Sequence, residues 1–217
     1  MSDIFREVDE EVRREQLKAL WDKWGNVALA LSIVVVLGIA GWRGWEWWQT
    51  RKAAEAGAAF EAALTLAEAG KNDEAAAAFD KVAADAPAGY RLLARFREAT
   101  ALAARDNAAA IKAYDELAAD SGIDPVLREI AQVRAGLLLV DTAPLDEMRR
   151  RLEPLAAAER SFRHTARELL ALTAWRTGDA TTARRWLDVM ANDAETPPGT
   201  RARVEVLLAI AGDAGKG

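Results

Sequence analysis

The chain has 217 residues, 29 % of them charged, with a net charge of -5 and no cysteine. That length accommodates one anchor and one soluble domain, and the acidic balance gives no basic footprint for nucleic acid. Without cysteine, disulfide scaffolds, thiolate metal sites and cysteine nucleophiles are excluded, and the single histidine, His164, cannot complete a two-histidine metal site.

Residues 1–23 form an N-terminal tail with an amphipathic helical pattern: Ile4, Val8 and Val12, then Leu17, Leu20 and Trp21, interrupted at Glu15 and Gln16. Its cations Arg13, Arg14, Lys18 and Lys23 lie before the next segment, against Arg43, Arg51 and Lys52 after it. This slight bias expects the tail inside and the remainder outside a membrane.

From Trp24 to Trp42 there is no Asp, Glu, Lys or Arg. A helix of that length rises about 28 Å, close to the hydrocarbon thickness of a bilayer. Trp21 and Trp24 flank the run on one side, and Trp42, Trp45, Trp47 and Trp48 on the other. Tryptophan favours the headgroup level, so six of the chain's eight tryptophans read as two interfacial belts around a transmembrane helix at 24–42. A core helix in a domain of this size would keep a polar face toward solvent, which the run lacks, and six flanking tryptophans would be an odd rim for it. A cleaved signal peptide has a shorter apolar core and a basic start. Gly38, Gly41 and Gly44 recur every third residue and would allow another membrane helix to approach.

After a juxtamembrane linker at 43–52, residues 53–217 are alanine-rich and helical in pattern. Turn signals fall at 69–73, 86–89, 104–107, 121–125, 141–146, 176–180 and 195–199, and no break is read between 146 and 176. No two-residue alternation is sustained, so the expected class is all-α. Asp124 before Pro125 is a helix start, with a capping side chain and a proline at a position that needs no N–H. No phosphate loop, GxSxG or HExxH occurs, and the chain is expected to act without a catalytic residue, cofactor or metal.

The turns conceal a repeat. Ala75 and Phe79 correspond to Ala110 and Tyr114, then to Leu152 in the large-apolar position, then to Ala183 and Leu187. Positions 79, 114, 152 and 187 are separated by 35, 38 and 35 residues, the period of tetratricopeptide helix pairs. The small residues allow paired helices to approach, and the large ones fill the gap between layers. The expectation is a solenoid of about four helix pairs with a protein-binding surface. Trp175 and Trp186 are expected in its core and His164 on a partly exposed helix face.

The stretch EVRREQLKALWDKWG at 11–25, followed by one span and a tetratricopeptide-like domain, resembles the ancillary Sec translocon subunit family of bacterial inner-membrane proteins. The resemblance implies a cytoplasmic tail and a periplasmic helical domain. It also implies association with the SecYEG translocon and with a membrane-anchored periplasmic prolyl isomerase chaperone, and no catalytic residues. The alternatives are an envelope-stress or envelope-assembly regulator that holds a different partner, an enzyme with an unrecognised carboxylate site, and self-assembly through the membrane helix.

Overall fold

The computed structural model describes the backbone of residues 3–214, with side chains for Arg14, Lys18 and residues 21–210 except Ala28. The tail positions Ile4, Val8, Val12, Leu17 and Leu20 lie outside the described side chains. Among the described residues there are nine α-helices and no strand. They are α1 (Asp3–Glu68), α2 (Asn72–Asp85), α3 (Ala88–Ala103), α4 (Asn107–Ala119), α5 (Pro125–Leu139), α6 (Leu145–Leu152), α7 (Arg163–Arg176), α8 (Ala180–Asn192) and α9 (Pro198–Ala214). The chain divides into two compact units, Met1–Glu55 and Ala56–Gly217.

The first unit is helical and carries the apolar run, of which only 6 % is buried. A helix with no polar face has no reason to stay exposed in water, and its length suits a bilayer.

The second unit packs as four helix pairs followed by α9. The pairs are residues 56–68 of α1 with α2, then α3 with α4, α5 with α6, and α7 with α8. Each hydrophobic cluster joins one pair to the next helix. Phe60 and Phe79, with ring centroids 5.4 Å apart, meet Tyr90 and Ala94 of α3. Tyr114 and Leu117 meet Ala131 and Ala135 of α5. Met148 and Leu152 meet Leu169 and Leu170 of α7, and Leu187 and Met190 meet Val204 of α9. Contacts between nearest neighbours are what a repeat stack consists of.

Local chemistry sets the helix starts. Asp106, Asp124 and Asp179 cap α4, α5 and α8 by accepting from the backbone N–H of Ala109, Val126 and Thr182 at 3.0, 2.8 and 2.9 Å. Two pairs reverse through a left-handed glycine, Gly70 (φ 73°) and Gly178 (φ 84°). There the N–H of Lys71 and of Asp179 reach back five residues, to the carbonyls of Leu66 and Ala174. Arg105 occupies the place of Gly70 in the second pair, and no described non-glycine residue has positive φ. That turn closes instead through a four-residue bond, Asp106 N–H to Leu102 O at 2.8 Å. The third pair closes likewise, from Ala143 N–H to Leu139 O at 2.8 Å.

Between the turn signals at 141–146 and 176–180 the structure adds a further break: α6 stops at Leu152, a 3-10 turn covers Glu153–Leu155, and α7 starts at Arg163. Pro154 is the cause, because it has no N–H to donate and its ring would clash with the carbonyl of residue 150. The Ala156 N–H donates to the carbonyls of Leu152 and Glu153, each at 3.1 Å, and closes the turn.

Charged groups lock the joints between repeats. Arg151 grips Asp115 through two bonds of 2.6 and 3.1 Å, and Arg203 grips Glu168 at 2.7 and 2.8 Å. Arg176 reaches the carbonyls of Val140 and Ala143 at the end of α5. Buried Arg167 donates to Ala156 O at 2.9 Å and to Asp193 at 2.8 Å. The backbone N–H of Glu195, followed by Arg167 and Arg163, holds the Asp193 carboxyl down at about 2. His164 belongs to this joint, with its side chain 13 % exposed. Thr196 spends its hydroxyl proton on Met190 O at 2.7 Å, so His164 Nδ1 must donate to that oxygen at 3.3 Å.

Two predictions follow from this packing. A Cβ on Gly136 would stand 3.1 Å from Leu152 Cδ1 and 3.4 Å from Leu169 Cδ1, while one on Gly89 would meet nothing within 4 Å. Helix propensity favours alanine by roughly 0.5–1 kcal/mol, and overpacking costs about 1–3 kcal/mol. In denaturant unfolding, Gly136→Ala is therefore expected to destabilise the chain by about 1 kcal/mol, whereas Gly89→Ala is neutral or slightly stabilising. Asp193 is ionised more readily folded than unfolded, so its stabilisation is present above the ordinary carboxylate pKa of about 3.9 and is lost as pH falls through about 2. Asp193→Asn should lower the Tm at pH 6, and the gap from wild type should narrow between pH 5 and pH 2; a constant gap would refute this account.

Candidate protein-binding surface

The six belt tryptophans are all exposed. Trp21 and Trp24 are 70 % and 56 % accessible, and Trp42, Trp45, Trp47 and Trp48 lie between 44 % and 72 %. Trp45 and Trp48 stack at 5.4 Å, Lys52 Nζ stands 4.5 Å over the Trp48 ring, and the Arg51 guanidinium 5.6 Å over Trp47. Cations one turn beyond the rings suit a boundary between hydrocarbon and water, where the stem is covered and the charge is wet. Gly38, Gly41 and Gly44 line open space: a Cβ on any of them meets nothing within 4 Å.

The repeat residues lie inside the second unit, all on the second helix of a pair. Ala75, Ala110, Leu152 and Ala183 are fully buried, and Phe79, Tyr114 and Leu187 are at most 3 % exposed. Met148 takes the place of the small residue in the third pair and is also fully buried. Thr100 Oγ1 donates to Phe96 O at 2.9 Å, so the Tyr114 hydroxyl, 2.9 Å away, donates to Thr100 and ties α4 to α3.

A matching series on the first helices escapes a sequence reading. Ala63, Ala99, Gly136 and Ala171 are buried, and each stands three residues before the carbonyl that closes its turn, at Leu66, Leu102, Leu139 and Ala174. The spacings are 36, 37 and 35, so no single fixed interval connects them. A fixed interval of 35 from Ala63 lands on Glu98 instead. Burial, followed by the charges of Asp80 and Glu116, pushes the Glu98 carboxyl upward.

Relative to this register, several large apolar side chains of the first helices are only partly covered. Six residues before the small position come Leu93 and Ile130; one after it come Leu137 and Leu172; four after it comes Trp175. These offsets fall within about 80° of one another around a helix of 3.6 residues per turn. Leu93 and Leu137 are 54 % and 45 % exposed, and Ile130, Leu172 and Trp175 are half-buried. Trp175, expected in the core, thus belongs partly to this face, while Trp186 packs between the clusters of α6–α7 and α8–α9. Arg97 and Arg134 stand exposed at equivalent positions beside the row, and neither makes an ion pair among the described residues. The face therefore offers hydrophobic contact with a cationic rim, a combination suited to binding an apolar segment that also carries acid. Among the described residues, no three His, Asp or Glu side chains are grouped to hold a metal ion.

No curated protein and no solved structure matches the chain. A family profile described as a tetratricopeptide repeat-like domain matches residues 18–198, most of the chain and all four helix pairs. The helix pairs, their period and the small-residue register between them agree with that match, and the chain belongs to the tetratricopeptide repeat-like domain family.

Proposed function

We propose that this chain is a membrane-anchored protein-binding scaffold that associates with the Sec translocon and a membrane-anchored periplasmic prolyl isomerase chaperone to assist exported proteins. In this reading residues 24–42 span the inner membrane, with the tail cytoplasmic and the repeat domain periplasmic. The observation that carries the binding role is the open apolar row of Leu93, Ile130, Leu137, Leu172 and Trp175 on successive first helices. Stacked repeats of this kind act through extended surfaces, and the chain supplies contact rather than chemistry. The anchor is supported by the exposed apolar run and its tryptophan flanks. The assignment to export rests on the resemblance of residues 11–25 to the Sec ancillary subunits.

The test is affinity purification of the detergent-solubilised full-length chain, read by mass spectrometry. One comparison protein has an unrelated spanning helix in place of 24–42, and another carries Leu93→Asp with Leu137→Asp. Translocon subunits and a periplasmic chaperone are expected with the native chain. A partner held by the row should fall at least about tenfold in the double variant, since an unpaired charge in an interface costs more than 1.4 kcal/mol. If the native chain brings down no export machinery, the Sec assignment fails and the scaffold alone remains.

A further inference from the structure

Helix α9 is apolar on two opposite sides, and the second unit covers only one of them. Val204 is fully buried, and Leu207 and Leu208 pack with it against α8. On the other side Ala202, Val206, Ala209 and Ile210 form a second stripe, with Val206 59 % and Ile210 53 % exposed. Their intervals of four, three and one place them within about 100° of the helix circumference. A helix that is apolar nearly all round is a buried helix, so the outer stripe calls for a partner. Contiguity is the point: isolated exposed aliphatics are ordinary, but four on one face are a contact surface.

The charges beside the stripe indicate what covers it. Arg203 flanks one edge and Glu205 the other, each about 80° from its centre. Arg203 already grips Glu168 but keeps 58 % of its side chain exposed. Glu205 is exposed and makes no ion pair among the described residues. Opposite charges on opposite edges are self-complementary under a two-fold axis parallel to the helix. That axis sets Glu205 of each copy beside Arg203 of the other, twice. An antiparallel copy would instead set like charges together. The small Ala202 and Ala209, alternating with Val206 at four-three spacing, let two such helices come close.

We infer that α9 pairs in parallel with α9 of a second copy of this chain, through Ala202, Val206, Ala209 and Ile210 and a reciprocal Arg203–Glu205 contact. Two valines, two isoleucines and four alanines cover far less than the roughly 800 Å² per partner of a stable soluble interface. The pair therefore depends on the membrane tether proposed above, which raises the local concentration of copies.

The absence of cysteine makes the test direct. Full-length chains carrying Ala202→Cys, Val206→Cys, Ala209→Cys or, as an exposed control, Leu93→Cys are oxidised in native membranes and resolved without reductant. A parallel two-fold brings every seam residue beside its own copy, so positions 202, 206 and 209 should each give a disulfide dimer well above the control. Adding Glu205→Lys should cut the yield at 206 several-fold. The inference is overturned if none of the three exceeds the control, if a single position alone links, or if the linked product is another protein. Carbonate extraction of the same membranes keeps the two readings apart: chain retained without dimer sinks the pairing alone, and chain released without dimer sinks the anchor as well.

Discussion

The second unit depends on how closely its helices approach. Ala63, Ala99, Gly136 and Ala171 on the first helices, with Ala75, Ala110 and Ala183 on the second, leave too little side chain to hold neighbours apart. Where the third pair carries Met148 instead of alanine, the opposing first helix carries glycine, and Leu152 and Leu169 approach the bare backbone. Phe79, Tyr114, Leu152 and Leu187 then fill the layer between pairs. An Ala-rich composition, which might suggest a bland helical chain, is thus what permits interior packing density.

Alanine contributes little buried area, and arginine makes up part of the difference. Arg151, Arg163, Arg167, Arg176 and Arg203 each reach groups 26 to 36 residues away, about one repeat along the chain. Their planar donors bind carboxylates and helix-end carbonyls at defined geometry, which sets the angle between neighbouring pairs as well as holding them. Exposed pairs of this type are individually weak. The Arg167–Asp193 joint differs because the guanidinium is buried and also satisfies a backbone carbonyl, so loss of Asp193 leaves a buried charge without its ion pair.

The same constraint bears on the candidate binding face. Small residues draw the first helices inward on one side, and Leu93 and Leu137 stay exposed while Trp175 stays partly so. Leu93, Leu137 and Trp175 are therefore available because Ala99, Gly136 and Ala171 are not. In the first unit only 6 % of the apolar run is buried, and cations stand above the tryptophan rings that follow it.

The sequence by itself determined the features that depend on local chemistry. The charge-free run has the length of a span because helix rise is constant. The breaks at Gly70, Pro125 and Gly178 are visible because glycine alone adopts positive φ at no steric cost, while proline fixes φ and donates no N–H. Ala75, Phe79 and their counterparts are legible because the second helices keep a nearly fixed interval. The tertiary structure alone decided the first-helix register, because intervals of 36, 37 and 35 residues shift Ala99 and Gly136 off a fixed period. It also decided the stop at Pro154, where the helical pattern on either side masks a proline that ends the helix. Only packing brings His164 and Arg167 of α7 to Asp193 at the end of α8, and only packing leaves one side of α9 uncovered. Burial and exposure are relations between segments far apart in the chain, and no local pattern contains them.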